Sequence, residues 1–435
     1  MANRTSFIAT GDAFMTRRLP EDGYEGFEEL LDVILSHDVR FNNLEFTAHD
    51  KEGYPAAFSG GTWAMSEPEI LDSLNAFGFN LYNTANNHSL DYSHGGVLAT
   101  IRHLKERDML FAGTGENLSA ASAPTYLDTY NARVALIATC STFHDSDIAG
   151  NQSPDLPGRP GLNGLRYNTV YHVEKPYFDT LRQIADTTAM NVSMERSIAT
   201  GYSQPLPEGY LHFGKMRFKL DTVTEKHTEP DKRDLERIEK SIREARRQAD
   251  YVLVSVHSHE YPMRDTTEPA EFYHTFCHAC IDAGADAILG HGPHELRGIE
   301  IYNGKPIFYS LGNFIFQTET VSLQPADAYE NAHMAHDTKV GEYMDKRSMD
   351  GTRGYCVDEN IWRSCMASFL AEDGRITEIT LYPYTLAAGT VRRHTGFPRL
   401  LKEEDHNDVL EYLAKLSKPF GTEIVIENGV GRIRL

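Results

Sequence analysis

Apolar and polar positions along residues 6–138 predict strands that alternate with helices. Short apolar runs, typical of strands, are separated by segments whose apolar residues recur three or four positions apart, the spacing of one helix face. Phe27–Leu35 shows this helical spacing clearly, and Ser66 with Glu69 has the spacing of a capping box opening the next helix. This alternation predicts an α/β fold.

The alternation returns after residue 235, where one strand signal is almost purely apolar. Tyr251–Val256 is a nearly unbroken apolar run, as expected for a strand buried on both faces. Later pairs of runs are joined by Asn-Gly or Asp-Gly, the strongest short signal for a β-hairpin. These dipeptides are Asn303-Gly304, Asp373-Gly374 and Asn428-Gly429.

Two long segments lack a clear period. Residues 143–230, which include a stretch rich in proline and glycine, predict an insertion or loop-rich cover, and residues 318–365 predict a long loop or lid. We therefore predict a core over residues 1–317 that carries the insertion, followed by the lid. A small β-rich C-terminal extension, residues 366–435, is predicted to pack on the core.

Five short polar motifs interrupt the apolar runs, and four of them follow a clear strand signal. Carboxylates, amide oxygens and neutral imidazoles are the ligands of divalent first-row metals, and the strand ends of an open α/β sheet direct such groups to one place. The motifs therefore predict a metal-dependent hydrolase. They are Gly11-Asp12, Asn43-Leu44-Glu45, Asn86-Asn87-His88, His257-Ser258-His259-Glu260 and Gly290-His291-Gly292-Pro293-His294.

Each residue of these motifs has a predicted role. His88 is predicted to act as a general acid or anion stabiliser, with Asp91 orienting its ring. The expected cofactor is one or two divalent ions, Mn or Zn in preference to Fe or Mg, with a metal-bound hydroxide as nucleophile. Substrate contacts are predicted for Asn86, His259 and Arg297. The predicted metal ligands are Asp12, Glu45, Asn87, His257, His291 and His294.

Composition limits the classes of binding partner and the cellular compartment that we predict for the protein. The net charge of −21 disfavours nucleic acid and anionic membranes as partners, whereas an anionic small molecule or polymer stays compatible because bound cations invert the field locally. Five cysteines in 435 residues are no disulfide framework and favour a reducing compartment. With neither a leader-like N-terminus nor an apolar run long enough to span a membrane, we predict a cytoplasmic protein.

As a set, the motifs resemble those of the capsule-biosynthesis, poly-γ-glutamate synthesis family (CapA/PgsA type), within the calcineurin-like metallophosphoesterase superfamily. The resemblance spans about residues 5–316 and includes Tyr309-Ser310-Leu311-Gly312-Asn313-Phe314. It implies two packed β-sheets flanked by helices (αββα) and a metal site built from the predicted ligands, with His88 catalytic. Phe14 stands where the first motif of the superfamily has a histidine, so one metal position loses a ligand.

Three functions compete at this point. The first is hydrolysis, of a phosphoester by preference or of an amide in a γ-glutamyl polymer. The second is a non-catalytic, metal-binding assembly protein or a binder of poly-γ-glutamate, which Phe14 favours. The third is a purely structural α/β domain that holds no metal.

Overall fold

The computed structural model describes residues 4–386, 392, 395–405 and 408–435. It is a mixed α/β structure with several sheets, as the alternating pattern predicts. The helices are α1 (Phe27–Leu35), α2 (Ile70–Asn75), α3 (Ser93–Glu106), α4 (Leu118–Ala121), α5 (Lys175–Thr188), α6 (Val192–Ala199), α7 (Lys232–Arg246), α8 (Glu271–Ala283), α9 (Ala326–Asn331), α10 (Val340–Ser348) and α11 (Val409–Ser417). Short 3-10 turns lie at Thr318–Thr320, Gly354–Val357, Glu359–Trp362, Glu403–Asp405 and Lys418–Phe420.

The strands are spread over the whole described chain. In chain order they are β1 (Arg4–Phe14), β2 (Val39–Leu44), β3 (Thr47–Ala48), β4 (Met65–Ser66), β5 (Leu81–Asn83), β6 (Phe111–Ala112), β7 (Thr114–Gly115), β8 (Thr125–Asp128), β9 (Arg133–Cys140), β10 (Gly161–Leu162), β11 (Tyr167–Val173), β12 (Tyr210–Phe213), β13 (Met216–Leu220), β14 (Glu225–Pro230), β15 (Tyr251–His257), β16 (Ala287–His291), β17 (Leu296–Tyr302), β18 (Lys305–Leu311), β19 (Asn313–Phe316), β20 (Arg363–Glu372), β21 (Arg375–Thr385), β22 (Arg399–Leu400), β23 (Val425–Glu427) and β24 (Val430–Arg434).

The larger sheet joins the two ends of the chain. Its order is β23-β24-β21-β20-β1-β2-β5-β6, with β19 also paired to β1 and β22 to β21. Strands β1, β2, β5 and β6 run parallel, whereas β20 is antiparallel to β1 and pairs with it over Arg4–Ala9. The predicted C-terminal extension therefore continues the sheet of the core; the domain boundaries themselves stay predictions.

The second large sheet has the order β17-β18-β16-β15-β9-β8, with β9, β15, β16 and β18 parallel. One apolar cluster contains residues of both large sheets, and the rings of Phe7 and Tyr251 meet edge to face at 5.4 Å. Helices α1 and α2 bury Leu30 and Leu71 in a second cluster, and α7 and α8 bury Ile238 and Phe276 in a third. The polar strand ends that follow these runs are thus held by packed strands.

The segments without a sequence period are more regular than predicted. Residues 318–365, predicted to be a long loop, contain α9, α10 and three 3-10 turns, so that prediction is wrong in part. Residues 167–230 form a four-stranded sheet, β12-β13-β11-β14, on which α5 packs. The capping box is also wrong, because Ser66 lies in β4 and its hydroxyl donates to the Met15 carbonyl.

The predicted hairpins form with the expected turn conformations. Asn303 and Gly304 have φ of 53° and 73°, the left-handed values that an Asn-Gly turn supplies. Helix α1 has the predicted bounds. Within the part of the chain that the structure describes, no helix combines the length and apolar character needed to cross a membrane.

Candidate metal centre

Asp12 lies at the carboxyl end of β1, where the strand contacts β2 and β19. Its N–H donates to the Gly312 carbonyl at 3.0 Å, and a Cβ on the preceding Gly11 would come within 1.8 Å of that carbonyl oxygen, so glycine is required there. The carboxylate accepts hydrogen bonds from Asn43 Nδ2 at 2.7 Å and from the Gly292 N–H at 3.0 Å. These bonds fix its position at the meeting point of both large sheets.

Three imidazoles reach the same place from strands β15 and β16 and the turn that follows. His257 and His291 are paired at the ends of these parallel strands, and their Nδ1 atoms lie 3.0 Å apart. His294 has a φ of 61°, a left-handed conformation uncommon for a residue with a Cβ. Such backbone persists only where the surroundings hold it. All three rings are buried.

Hydrogen bonds fix which ring nitrogens carry protons. Asn313 Nδ2 donates to the carbonyls of His294 and Ile361, so its Oδ1, 2.8 Å from His294 Nδ1, is an acceptor. His294 Nδ1 therefore carries the proton, and Nε2 presents a lone pair. His291 Nε2 lies 2.7 Å from the Ser255 hydroxyl, which can donate or accept, and its Nδ1 faces Asp12 at 3.5 Å. Such partners orient metal-binding imidazoles in known sites.

Distances within this group are close to the ligand-to-ligand distances of a metal coordination shell. Asp12 Oδ1 lies 3.5 Å from His291 Nδ1 and 3.7 Å from His257 Nδ1. Glu45 Oε1 lies 3.7 Å from both His257 Nε2 and His294 Nε2. Ligand atoms at zinc-type bond lengths around a tetrahedral ion are about 3.3–3.6 Å apart. We call Asp12, Glu45, His257, His291 and His294 the central cluster.

Three buried oxygens here have no hydrogen-bond partner among the described residues: both carboxylate oxygens of Glu45 and Oδ1 of Asn87. The Asn87 amide nitrogen is satisfied by the Gly60 carbonyl at 2.8 Å. A buried polar group without a partner costs about 1–3 kcal/mol, and a charged one more. A divalent cation would satisfy such oxygens, so the donor set fits a metal.

The protonation of the cluster suits metal binding. Burial lowers the pKa of His291 to about 4 and that of His257 well below its usual range, so both rings are neutral at pH 7. Burial and the negative charge of Asp12 raise the pKa of Glu45 well above its usual value. Burial raises the pKa of Asp12, but the neighbouring imidazoles of His294 and His291 and the hydrogen bond from Asn43 outweigh it, so that pKa is lowered.

His88 and Asp91 form a pair beside the central cluster. His88 Nδ1 lies 2.7 Å from Asp91 Oδ2, and the Asp91 carboxylate also accepts hydrogen bonds from the N–H groups of Gly60 at 2.9 Å and Ala64 at 2.7 Å. The carboxylate is thereby fixed as an acceptor, so His88 Nδ1 donates to it. The other ring nitrogen, Nε2, takes no part in this pair. Phe14 meets the His88 ring edge to face at 5.1 Å.

His259 was predicted to contact substrate, but the structure brings it to the metal donors. Its Nε2 lies 3.0 Å from His257 Nε2, and both nitrogens fall with a Glu45 oxygen in a group whose members are within 4.8 Å of one another. Burial lowers the pKa of His259 to about 3. The sequence signal was the spacing of His257 and His259, since alternate residues of an extended segment share a face.

Asn86 and Arg297, also predicted to bind substrate, are engaged with the protein itself. The Asn86 amide donates to the Leu44 carbonyl at 2.7 Å. Arg297 is fully buried, and its guanidinium donates to the carbonyls of Ser258 and His259 at 3.3 and 3.2 Å. This geometry supports a role in holding the segment after β15, and the substrate contacts of both residues stay predictions.

The lid contributes residues that the sequence pattern did not single out. Tyr355 places its ring 5.9 Å from that of His294. It also lines a cavity of about 260 Å³ with Arg347 and Arg353, and neither arginine makes an ion pair with any described residue. Glu319 lines the same cavity, so its walls carry two arginines and one carboxylate.

Comparison with known proteins gives one family. The sequence profile described as "Bacterial capsule synthesis protein PGA_cap" matches residues 6–318. An uncharacterized protein of Sinorhizobium fredii, y4sH, is 34% identical over 99% of this chain and 93% of its own length.

Two further relatives carry functional names. The capsule biosynthesis protein CapA of Bacillus anthracis is 27% identical over 67% of this chain, which spans 53% of that protein. A "Probable polyglutamine synthesis accessory protein" of Mycobacterium tuberculosis is 34% identical over 74% of this chain and 67% of its own length.

Proposed function

The chain belongs to the PGA_cap family of bacterial capsule synthesis proteins, and from this premise we propose that it is a metal-dependent hydrolase, of a phosphoester by preference. The observation that carries the proposal is the set of buried, unpartnered oxygens of Glu45 and Asn87 facing neutral imidazoles. In a purely structural domain, these unpartnered oxygens would lower the stability of the fold with nothing to offset the loss.

The architecture supports the same proposal. Helices α1 and α2 pack on the larger sheet, α7 and α8 on the second, and a shared apolar cluster lies between the sheets. We infer that these layers are the αββα arrangement of the metallophosphoesterases.

One or two divalent ions, Mn or Zn by donor type, would be held by carboxylates, an amide oxygen and imidazoles. When bound, such ions supply Lewis-acid activation of water and of the bond to be cleaved. His259 would provide a nitrogen in place of the histidine that Phe14 replaces. The proposed ligands are Asp12, Glu45, Asn87, His257, His259, His291 and His294.

His88 is the proposed proton donor. Its Nδ1–H is held by Asp91, so Nε2 is the nitrogen that would give a proton to a leaving oxygen. The pair is buried, so the proton stays within the site.

The substrate is proposed to be anionic, with Arg347 and Arg353 binding one of its charged groups. Replacing both by alanine is expected to raise KM for an anionic ester about 10–100-fold, because a hydrogen bond to a charged group contributes about 1.5–3 kcal/mol. For the anionic ester, kcat should change little. For a neutral ester, both kcat and KM should change little. Equal losses on both substrates would contradict the assignment.

The function is tested by metal analysis of the purified protein and by its turnover of a chromogenic phosphodiester with Mn²⁺. His88→Ala is expected to lower kcat about 10²–10⁴-fold, the usual contribution of general acid catalysis, while metal content is retained. Asp12→Ala is the matched comparison, because it should lose metal and turnover together.

A second candidate is a non-catalytic protein that binds or assembles poly-γ-glutamate. Phe14 at the place of an expected ligand favours it, as do the printed names of the CapA and accessory-protein relatives. Metal content without turnover of any phosphoester or γ-glutamyl amide, together with binding of the polymer, would support this candidate over the hydrolase.

A further inference from the structure

Two histidines on α8 face one carboxylate of β17. His274 and His278 are four residues apart, so their side chains lie on the same helix face, and their ring centroids are 4.2 Å apart. His274 Nε2 lies 3.4 Å from Glu300 Oε2, and His278 Nε2 lies 2.9 Å from Glu300 Oε1. We call these three residues the outer cluster, since α8 covers the face of the second sheet away from the larger one.

Neighbouring rings hold the outer cluster in this geometry. The His278 ring lies flat on Tyr302, with centroids 3.7 Å apart and an interplanar angle of 11°. The His274 ring lies nearly parallel to Tyr309, at 6.0 Å and 15°. The Tyr309 hydroxyl donates to Glu300 Oε2 at 2.7 Å. Donors that are fixed before an ion arrives need little reorganisation to bind it.

We propose that the outer cluster is a second metal site, which takes one divalent transition-metal ion of the zinc type. Its three donor atoms lie within 4.8 Å of one another, and two imidazoles with one glutamate are a ligand set that zinc uses where a fourth position is left open. Tyr309 orients the carboxylate from behind, as partners of metal ligands do.

The fourth position has space available to it. His274 lines a cavity of about 720 Å³ between α8 and the C-terminal part of the chain, together with Glu271, Tyr412, Lys415 and Phe420. His274 is 39% exposed in its side chain and Glu300 only 13%, so the open side of the cluster is that of His274. Water or a small ligand would reach the ion from this cavity.

A third group of imidazoles provides the matched control. His172 Nδ1 is paired with Asp221 at 2.9 Å, and His227 Nε2 with Glu225 at 2.8 Å. The donor atoms of His172, His227 and Glu225 also lie within 4.8 Å of one another, but each imidazole there has a further ion pair, His172 with Asp221 and His227 with Glu271 at 3.3 Å. In the outer cluster the two imidazoles share Glu300 and neither has another carboxylate partner among the described residues, and this is the difference on which the proposal rests.

The test counts zinc ions bound per chain in metal-stripped, full-length protein by titration and elemental analysis. The His274→Ala/His278→Ala variant is expected to bind one zinc ion fewer than the natural chain, whatever the central cluster takes. The His172→Ala/His227→Ala variant should bind the full number. Tyr309→Phe should bind the extra ion about 10-fold more weakly, the lower end of the effect of losing such a partner.

Equal zinc counts in the natural chain and the His274→Ala/His278→Ala variant would overturn the proposal, as would loss of the ion from the control variant. Anomalous scattering at the zinc edge from crystals of the natural chain gives a readout that needs no variant. A peak between His274, His278 and Glu300 would support the site, and peaks at the central cluster alone would exclude it. Neither result depends on turnover.

Discussion

The central and outer clusters are built from the same kinds of atoms but differ in how those atoms are satisfied. In the central cluster Glu45 is fully buried and neither of its oxygens has a partner among the described residues. In the outer cluster Glu300 accepts from Tyr309 and faces two imidazole nitrogens at hydrogen-bond or ion-pair distance. Without metal, the carboxylate of the outer cluster therefore has its hydrogen-bond partners. The unpartnered oxygens of the central cluster instead lower the stability of the metal-free fold.

This difference shows that buried oxygens without a hydrogen-bond partner indicate a metal site. Imidazoles and carboxylates near a surface satisfy one another, so holding them together costs the metal-free protein little. Buried oxygens that no N–H or O–H reaches are costly, and they indicate that a cation completes the site. The case for metal is accordingly stronger at the central cluster.

Glu45→Gln and Glu300→Gln should have opposite effects on the metal-free protein. Glu45→Gln removes a carboxylate that the fold leaves unpaired, so the free energy of unfolding is expected to stay equal or rise. Glu300→Gln weakens paired contacts and is expected to lower it by about 0.5–1.5 kcal/mol for each hydrogen bond lost. Thermal unfolding in a chelator measures both.

Added metal should then separate the variants further. An ion at a thousandfold excess over its Kd stabilises a folded protein by about 4 kcal/mol, and Glu45→Gln is expected to lose most of this gain. Glu300→Gln should keep the gain due to the central cluster. Full metal stabilisation in the Glu45→Gln variant would contradict the assignment of Glu45 as a ligand.

Sequence periodicity predicted much of the strand framework and the donors at its ends. Local apolar runs predict strands such as β15 and β16, and the polar residues that follow such parallel strands lie at the same edge of the sheet. This is why Asp12, His257 and His291 were predictable as neighbours although they are far apart in the chain.

Other features depend on long-range contacts that no local pattern encodes. The pairing of β20 with β1 joins residues more than 350 positions apart, and so the C-terminal strands looked like a separate extension. Arg297 was predicted to contact substrate, but its guanidinium donates to the carbonyls of Ser258 and His259 in the segment after β15. The ligand-like position of His259 likewise depends on how the segment after β15 turns.

Acid should destabilise the metal-free protein through the buried imidazoles of His257, His259 and His291 and, outside the site, of His49, whose pKa burial lowers to about 4; Glu45, whose pKa is raised, acts in the opposite direction. The pKa values of His259 and His291 are lowered by burial to about 3 and about 4, so between these values and about 6.5 the unfolded chain binds more protons than the folded one. Their stabilising contribution is complete above pH 6.5 and is lost as the pH falls toward the folded values. Each ring contributes a slope of about 1.4 kcal/mol per pH unit.

The contribution of the outer cluster to the free energy of unfolding should change only at lower pH. Burial raises the pKa of Glu300, but hydrogen bonds from His274, Tyr309 and His278 outweigh this and lower it to about 2. The contribution of Glu300 is therefore lost only as the pH falls below the ordinary glutamate value. Unfolding free energies measured between pH 7 and 5 should fall in the natural chain and fall as steeply in Glu300→Gln. A flat profile over this range would show that the central rings are not neutral in the folded protein.

Asn313 is expected to affect metal binding indirectly, since it touches no proposed substrate and binds no ion itself. Its Oδ1 holds the Nδ1 proton of His294 and so directs the Nε2 lone pair at the cluster. Asn313→Ala is expected to weaken metal binding about 10–100-fold, the usual effect of removing such a partner. Because Asn313 also donates to two carbonyls, the melting temperature of the metal-free variant must be compared with that of Ser255→Ala, which removes the corresponding partner of His291. A drop in melting temperature with unchanged metal affinity would assign Asn313 to the fold alone, whereas weaker metal binding beyond the loss of stability would show that His294 needs its proton held on Nδ1 to act as a ligand.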